Sequence, residues 1–405
     1  MTTTRRYRSG HLRGLGRLAA EATLGVTELV EAVHRTVEEA PGPLGAPPAG
    51  GTNGITGIVY GSVRGVTRLV GTGVDAALAK LAPLLGESAT SPGNEALVAA
   101  LNGVLGDHLE ATGNPLAIAM HLRRNGRDLE PDRAALAAAL PAPPGRLVLL
   151  VHGLCMNDFG WSRRGHDHGA ALERDLGLVP LHVVYNSGRH VSTNGRDLAA
   201  LMESLVRAWP GPLRGLSIVA HSMGGLVTRS AFHAARGAGH EWPALVRSAV
   251  FLGTPHHGAP LERLGNVVQA ALGLSPYSLQ FARLGRVRSA GITDLRHGNL
   301  LDGDWADTDR FARHADVRQP VPLPRGVAFG AVAGTTAKEV GESVPRLAGD
   351  GLVPVASALG RHRDPERTLD FAAERTWIAP ATGHFDLLSS PDVYARVRSW
   401  LEPGP

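Results

Sequence analysis

The stretch LSIVAHSMGG, Leu216 to Gly225, limits what the chain can become more than any other part of it. Its first half is a short apolar run of the kind that forms a strand buried on both faces. A serine then stands between a histidine and a methionine, and two glycines follow, so the strand must stop abruptly where little bulk is tolerated. A strand that turns sharply into a helix at a serine crowds the residues two places before and after it. Ala220 and Gly224 hold those places and both are small; the usual pattern has glycine at the first, and alanine is the slightest departure from it. Ser222 is therefore expected on an elbow at the carboxyl edge of a parallel sheet, with the positive end of the next helix beneath it.

A serine hydroxyl becomes a nucleophile only beside a base, and the base needs a carboxylate to orient it. Downstream, AGDGLVPVASA sets Asp350 in a glycine-flanked loop and IAPATGHFDLL sets His384 in a loop after the last apolar run. Serine, acid, histidine is the chain order of one widespread hydrolase architecture. Two backbone donors for an oxyanion are also needed. The segment RLVLLVHGLCMND ends a strand in His152-Gly153-Leu154, which lets the amide of Leu154 face the same oxygen as the amide of Met223. His221 leaves the elbow in another direction and reads as a packing or hydrogen-bonding residue. Asp386, two residues past His384, is a weaker orienter than Asp350 because so short a loop gives it little reach.

On HGL, AHSMGG, LGTPHHGAP and GDGLVPVASA the chain resembles α/β-hydrolase-fold serine esterases and lipases, specifically bacterial triacylglycerol-lipase-like and inositol-deacylase-like members. The resemblance runs from about Pro115 to the C-terminus. It implies Ser222 as nucleophile, His384 as general base and then acid, Asp350 as orienter, and Leu154 and Met223 as amide donors. Nothing is carried over to the chain before it.

The surrounding pattern agrees with that fold class. Short apolar strands at 147–151, 181–185, 216–220, 249–253 and 327–333 alternate with amphipathic helices at 170–176, 195–209 and 224–235. Such alternation means βαβ units and a mostly parallel sheet with helices on both faces. Asn125-Gly126 is a hairpin signal. Residues 1–112 read as a helical N-terminal extension, with stripes from Leu18 to Val37, Ile55 to Leu85 and Glu95 to Ala111, and residues 113–405 as the catalytic domain. Gly57, Gly61 and Gly65 make a small-residue ridge that suits packing against another helix, or an interfacial helix lying on lipid. A cap is expected at about 256–325, where Leu261, Leu264, Val267, Val268, Ala271 and Leu272 share one face.

Composition closes other routes. Basic residues number 41 against 37 acidic, only Lys80 and Lys338 are lysines, and aromatics make up 5%, too few for base-stacking platforms, so nucleic acid is not an expected partner. No apolar run reaches the roughly 18 residues of a membrane span. One cysteine, Cys155, excludes an internal disulfide and suits a reducing compartment. The expected location is cytoplasmic, with peripheral membrane contact through the first helices left open. His256-His257 lacks metal-ligand spacing, and neither metal nor organic cofactor is expected. The partner is a small ester or lipid, uncharged and acyl-bearing. Amidase, thioesterase and acyltransferase chemistry use the same triad and stay open, as does a lipid-surface binding role with little hydrolysis.

Overall fold

The structure, a computed structural model, describes residues 92–140, 145–260, 289–306, 316–339 and 349–402. The stripes expected at 18–37 and 55–85 and the apolar face at 261–272 lie outside them. Of the two compact units into which the chain divides, the second, Ser91–Glu110 with Ala117–Pro405, carries everything described below.

Helix α1 (Pro92–Ala111) leads into the hairpin β1 (His121–Arg124) and β2 (Arg127–Leu129), short α2 (Arg133–Ala139) and strand β3 (Arg146–Val151). A two-stranded flap, β4 (Ser162–Arg163) and β5 (His166–Asp167), runs into α3 (His168–Leu176). Then come β6 (Val179–Val184), α4 (Val191–Ala208), β7 (Gly215–His221), α5 (Met223–Ala238), β8 (Val246–Leu252), α6 (Ala290–His297), β9 (Ala328–Gly334), α7 (Val355–Ala358), β10 (Thr376–Ala379) and α8 (Pro391–Leu401). The main sheet has the order β10-β9-β8-β7-β3-β6-β1-β2, parallel from β10 to β6, with β1 antiparallel to β6 and to β2. This is the α/β-hydrolase fold. At the hairpin, Asn125 (φ 52°) and Gly126 (φ 70°) both take the left-handed conformation that a two-residue turn between twisted strands requires.

The central strands are mostly apolar because both faces are covered. In β3, Leu147, Leu149 and Val151 pack with Leu198 and Met202 of α4 and Leu226 of α5. Val148 and Leu150 point the other way, toward Leu172 of α3 and Val393 and Val397 of α8. The period-two alternation of a strand is thus present but invisible to polarity, as expected where neither face meets water. The crossing of α4 and α5 depends on Gly195, where a Cβ would sit 2.3 Å from Ser230 Oγ.

Helix α1 stands before the domain boundary expected at 112, and it packs on the sheet unit. A Cβ on Gly103 would fall 2.2 Å from Cys155 Sγ, Ser289 Oγ donates to Gly103 O at 2.7 Å, and Asn186 Nδ2 donates to Gly106 O at 2.9 Å. Gly103 and Gly106 let the loops that follow β3 and β6 lie directly on it.

Candidate active site

Ser222 follows the last residue of β7 and precedes the first of α5, with φ 54° and ψ −124°. Such a conformation costs a non-glycine residue about 1–3 kcal/mol and persists only where its surroundings fix it. They do so here through the backbone. The Ser222 N–H donates to Leu252 O at 2.9 Å, and Ser222 O accepts from Gly225 N–H at 3.0 Å. Gly224 cannot carry a side chain, since its Cβ would stand 2.3 Å from Val151 O and 2.6 Å from His152 O. Ala220 has no exposed surface.

Asp350 and His384 meet where the next strands end. His384 Nδ1 donates to Asp350 Oδ2 at 2.7 Å, and the His384 N–H donates to Asp350 O at 3.0 Å. The other carboxylate oxygen accepts from the amides of Leu352 (3.0 Å) and Val353 (2.8 Å). Because Nδ1 carries the hydrogen, Nε2 is the ring nitrogen left with a lone pair. Gly253 joins this pair to the serine. It directly follows Leu252, the acceptor of the Ser222 amide, and its own Cβ would lie 3.0 Å from Asp350 Oδ2 and 3.1 Å from His384 Nδ1. No hydrogen bond from Ser222 Oγ to His384 forms among the described residues. Contacts of that kind commonly tighten only with substrate bound.

On the opposite side of Ser222 the loop after β3 comes in close, a Cβ on Gly153 being only 3.0 Å from Ser222 Cβ. Leu154 is the next residue, and Met223 is the first of α5, so the Met223 N–H has no acceptor within its own helix. The loop is braced from behind. Cys155, at φ 61°, donates its N–H to Ser187 Oγ at 3.0 Å, and His152 stacks on Tyr185 with ring centres 4.3 Å apart. Tyr185 OH donates to His152 O at 2.8 Å, and burial pushes the His152 imidazole down to about 4.

The loop bearing His384 is held by side chains from distant parts of the chain. His221 Nε2 donates to His384 O at 3.1 Å, the two rings lying 4.7 Å apart. Burial, reinforced by His384, keeps the pKa of His221 well below the ordinary value. His168 Nε2 donates to Leu387 O at 2.9 Å while His168 Nδ1 accepts from His166 Nε2 at 2.8 Å, and burial pushes His168 down to about 4. From the flap, Arg164 pairs with Asp386 at 2.7 Å and Arg163 lies over the Phe385 ring at 5.1 Å. Asp386 faces Arg164, and His221 serves as a hydrogen-bonding residue beside the elbow. His166, His168 and the two flap arginines carried no sequence signal: they are separated from His384 by more than two hundred residues and belong to no motif.

Other polar side chains near the sheet edge have structural partners. Asn186 Oδ1 accepts from the Gly188 amide at 3.1 Å and Asn194 Nδ2 donates to Asn186 O at 2.9 Å, so both support the loop after β6. His190 stacks on Trp305 with ring centres 3.6 Å apart and meets Asp294 Oδ2 at 3.0 Å. His257 Nε2 donates to Gly360 O at 3.1 Å, and His256 Nδ1 lies 3.4 Å from Arg229 Nη1. Among the described residues no group of three or more His, Cys, Asp or Glu could hold a metal ion, and no helix is long and apolar enough to cross a membrane.

Comparison with known proteins places these features beside others. Residues 189–319 match a family model described as a PGAP1-like alpha/beta domain. No curated protein matches the chain. Among solved structures, the mature form of Bacillus licheniformis lipase BlEst2 is similar at 19% identity and a TM-score of 0.40, covering 69% of this chain and 98% of that one. Aspergillus fumigatus lipase B is similar at 11% identity and a TM-score of 0.38, covering 70% of this chain and 55% of that one. The esterase PF2001 of Pyrococcus furiosus is similar at 12% identity and a TM-score of 0.36, covering 64% and 81%.

Proposed function

We propose that the chain is a serine hydrolase that cleaves carboxylic esters through an acyl-Ser222 intermediate. The observation that carries this reading is the hydrogen-bonded Asp350–His384 pair at 2.7 Å, beside the strand end that holds Ser222 at φ 54°. Ser222 Oγ attacks the ester carbonyl carbon as His384 Nε2 takes its proton. Asp350 holds Nδ1–H and so keeps the imidazole in the tautomer that can accept. The carbonyl electrons move onto oxygen, where the amides of Leu154 and Met223 and the N-terminal end of α5 stabilise the negative charge. Protonated His384 then returns its proton to the departing alcohol. Water repeats the sequence on the acyl-serine, with His384 again the base, and releases the acid. An uncharged, acyl-bearing substrate fits best, since few charged side chains converge on the motif residues.

Fluorophosphonates phosphonylate an activated serine and ignore an ordinary one. The full chain should label at one serine, and Ser222→Ala should abolish labelling. Unchanged labelling in Ser222→Ala, or none in the wild type, ends this reading. A series of p-nitrophenyl esters of increasing chain length then reads out the acyl preference, and matched amides and thioesters separate the neighbouring chemistries.

A further inference from the structure

Arg229, seven residues past Ser222 on α5, is a buried cation. It is 5% exposed, and no carboxylate pairs with it among the described residues. Its Nη2 donates to Val321 O at 2.7 Å, its Nη1 reaches His256 Nδ1 at 3.4 Å, and its Nε has no partner. Burying an unpaired charge is among the most costly arrangements a fold can contain. Burial, aided by Arg318 and opposed by Asp304, pushes the guanidinium down to about 9.

The nearby acids are already occupied. Asp304 Oδ2 accepts from the amides of Leu300 (2.8 Å) and Leu301 (3.0 Å), and its Oδ1 accepts from the amide of Gln319 at 3.1 Å. The Asp316 carboxylate pairs with Arg318 at 2.7 Å and with Arg367 at 3.2 Å. Arg318 and Arg367 are thus answered by Asp316, and Arg367 also by Asp364 at 3.3 Å, while no carboxylate pairs with Arg229 among the described residues. The histidine adds to the imbalance. A guanidinium can only donate, so His256 Nδ1 is the acceptor and its hydrogen sits on Nε2, which is buried and without a partner. Both unpartnered atoms of this group are thus donors, which calls for an acceptor and rules out a cation. Arg229, His256, His257, Asp304, Arg318 and Arg367 line a cavity of about 20 Å³, room for one guest the size of a water molecule.

We propose that this cavity binds a single monatomic anion of the halide class, which neutralises Arg229 and ties the turn at 254–258 to the strap at 316–321. A water could accept a hydrogen bond there but would leave the charge unanswered. The site is separate from the Ser222 chemistry and stands whether or not that chemistry is confirmed.

Thermal unfolding of the full chain at constant ionic strength, in sodium chloride against sodium gluconate, tests the proposal, because gluconate is too large to enter. Chloride should raise the midpoint by about 2–5 °C and saturate as a single site. Arg229→Met, which has no charge to neutralise, should respond equally to both salts. Crystals of the wild type grown in sodium bromide give a reading that does not depend on the variant folding: an anomalous peak is expected against the Arg229 guanidinium. Equal midpoints in the two salts, a chloride response retained in Arg229→Met, or a bromide map with a water or nothing at that position would each overturn it.

Discussion

The elbow at Ser222 and the loop at His384 both lie against the end of β8, at Leu252 and Gly253, yet they are built by opposite means. The serine is set by main chain: its amide on Leu252 O at 2.9 Å, and Gly224 pressed against the carbonyls of Val151 and His152. Neighbouring strands, and the residue directly after one of them, supply those contacts. The histidine is set by side chains arriving from elsewhere, namely Asp350, His221, His168 and Arg164. A site made this way has one part that hardly responds to conditions and one part whose position depends on the protonation of its supports. Four interventions separate the two.

The largest effect is expected at the junction. In Asp350→Asn the amide oxygen can still accept from the Leu352 and Val353 amides, but the NH2 cannot accept from His384 Nδ1–H. The imidazole is then driven to the tautomer that cannot take the serine proton, and kcat for a p-nitrophenyl ester should fall by about 10⁴ while the fold persists. Full activity in that variant would remove Asp350 from the proposed triad, and with it the account of how the loop is oriented.

That same contrast decides what could be read from the sequence. The elbow was legible because its constraint is local: a strand expected at 216–220 is observed at Gly215–His221, and small residues stand where main chain presses in. The strands expected at 147–151 and 249–253 are found at Arg146–Val151 and Val246–Leu252, since apolar runs of that length have few other uses. For Asp350 and His384, order along the chain and flanking glycines picked out the residues, but nothing in the sequence could state the 2.7 Å contact. The supports were illegible. His168 looks like any histidine at the start of a helix, and its bond to Leu387 O exists only because α3 and α8 cover the same face of the sheet. Helix α1 was legible as a helix, expected from Glu95 and observed from Pro92, but its packing on the loops after β3 and β6 was not, because Gly103 and Gly106 read equally well as helix weakness.

The next intervention attacks the elbow itself. Gly224→Ala places a methyl 2.3 Å from Val151 O, an atom of the central strand that cannot swing aside. Such overpacking should cost about 3 kcal/mol of stability, read from the urea midpoint, and reduce the yield of labelled Ser222 in proportion. Wild-type stability in this variant would mean that the elbow yields to side chains, and the contrast with the histidine loop would collapse.

Acid should act mainly on the histidine loop and its surroundings. His168, which donates to Leu387 O, is held near 4 by burial, against about 6.5 in an unfolded chain. The folded state therefore binds the proton less readily than the unfolded one. The stability it contributes is complete above about pH 6.5 and is lost as pH falls toward 4, by about 3 kcal/mol for a fully buried histidine across that range. Urea midpoints at pH 7.5 and 4.5 should differ accordingly, and His168→Gln, which does not titrate, should show a smaller difference. Equal midpoints in the wild type would refute the claim that neutral histidines hold the loop.

The flap offers the finest distinction, because it touches the loop from the solvent side. Arg164 and Asp386 are joined at 2.7 Å, but their side chains are 71% and 36% exposed. A pair so open to water contributes less than about 1 kcal/mol and weakens further as salt rises. Arg163 over Phe385 at 5.1 Å belongs to the same order of effect. Arg164→Ala should therefore change kcat by no more than about threefold, with KM unaltered, if the buried bonds from His221 and His168 hold the base in place. Should the variant lose tenfold or more in kcat while its urea midpoint stays put, the flap would be an aligning device in its own right. The histidine would then be positioned from outside the fold as much as from within, and salt would be expected to slow wild-type ester hydrolysis by the same amount.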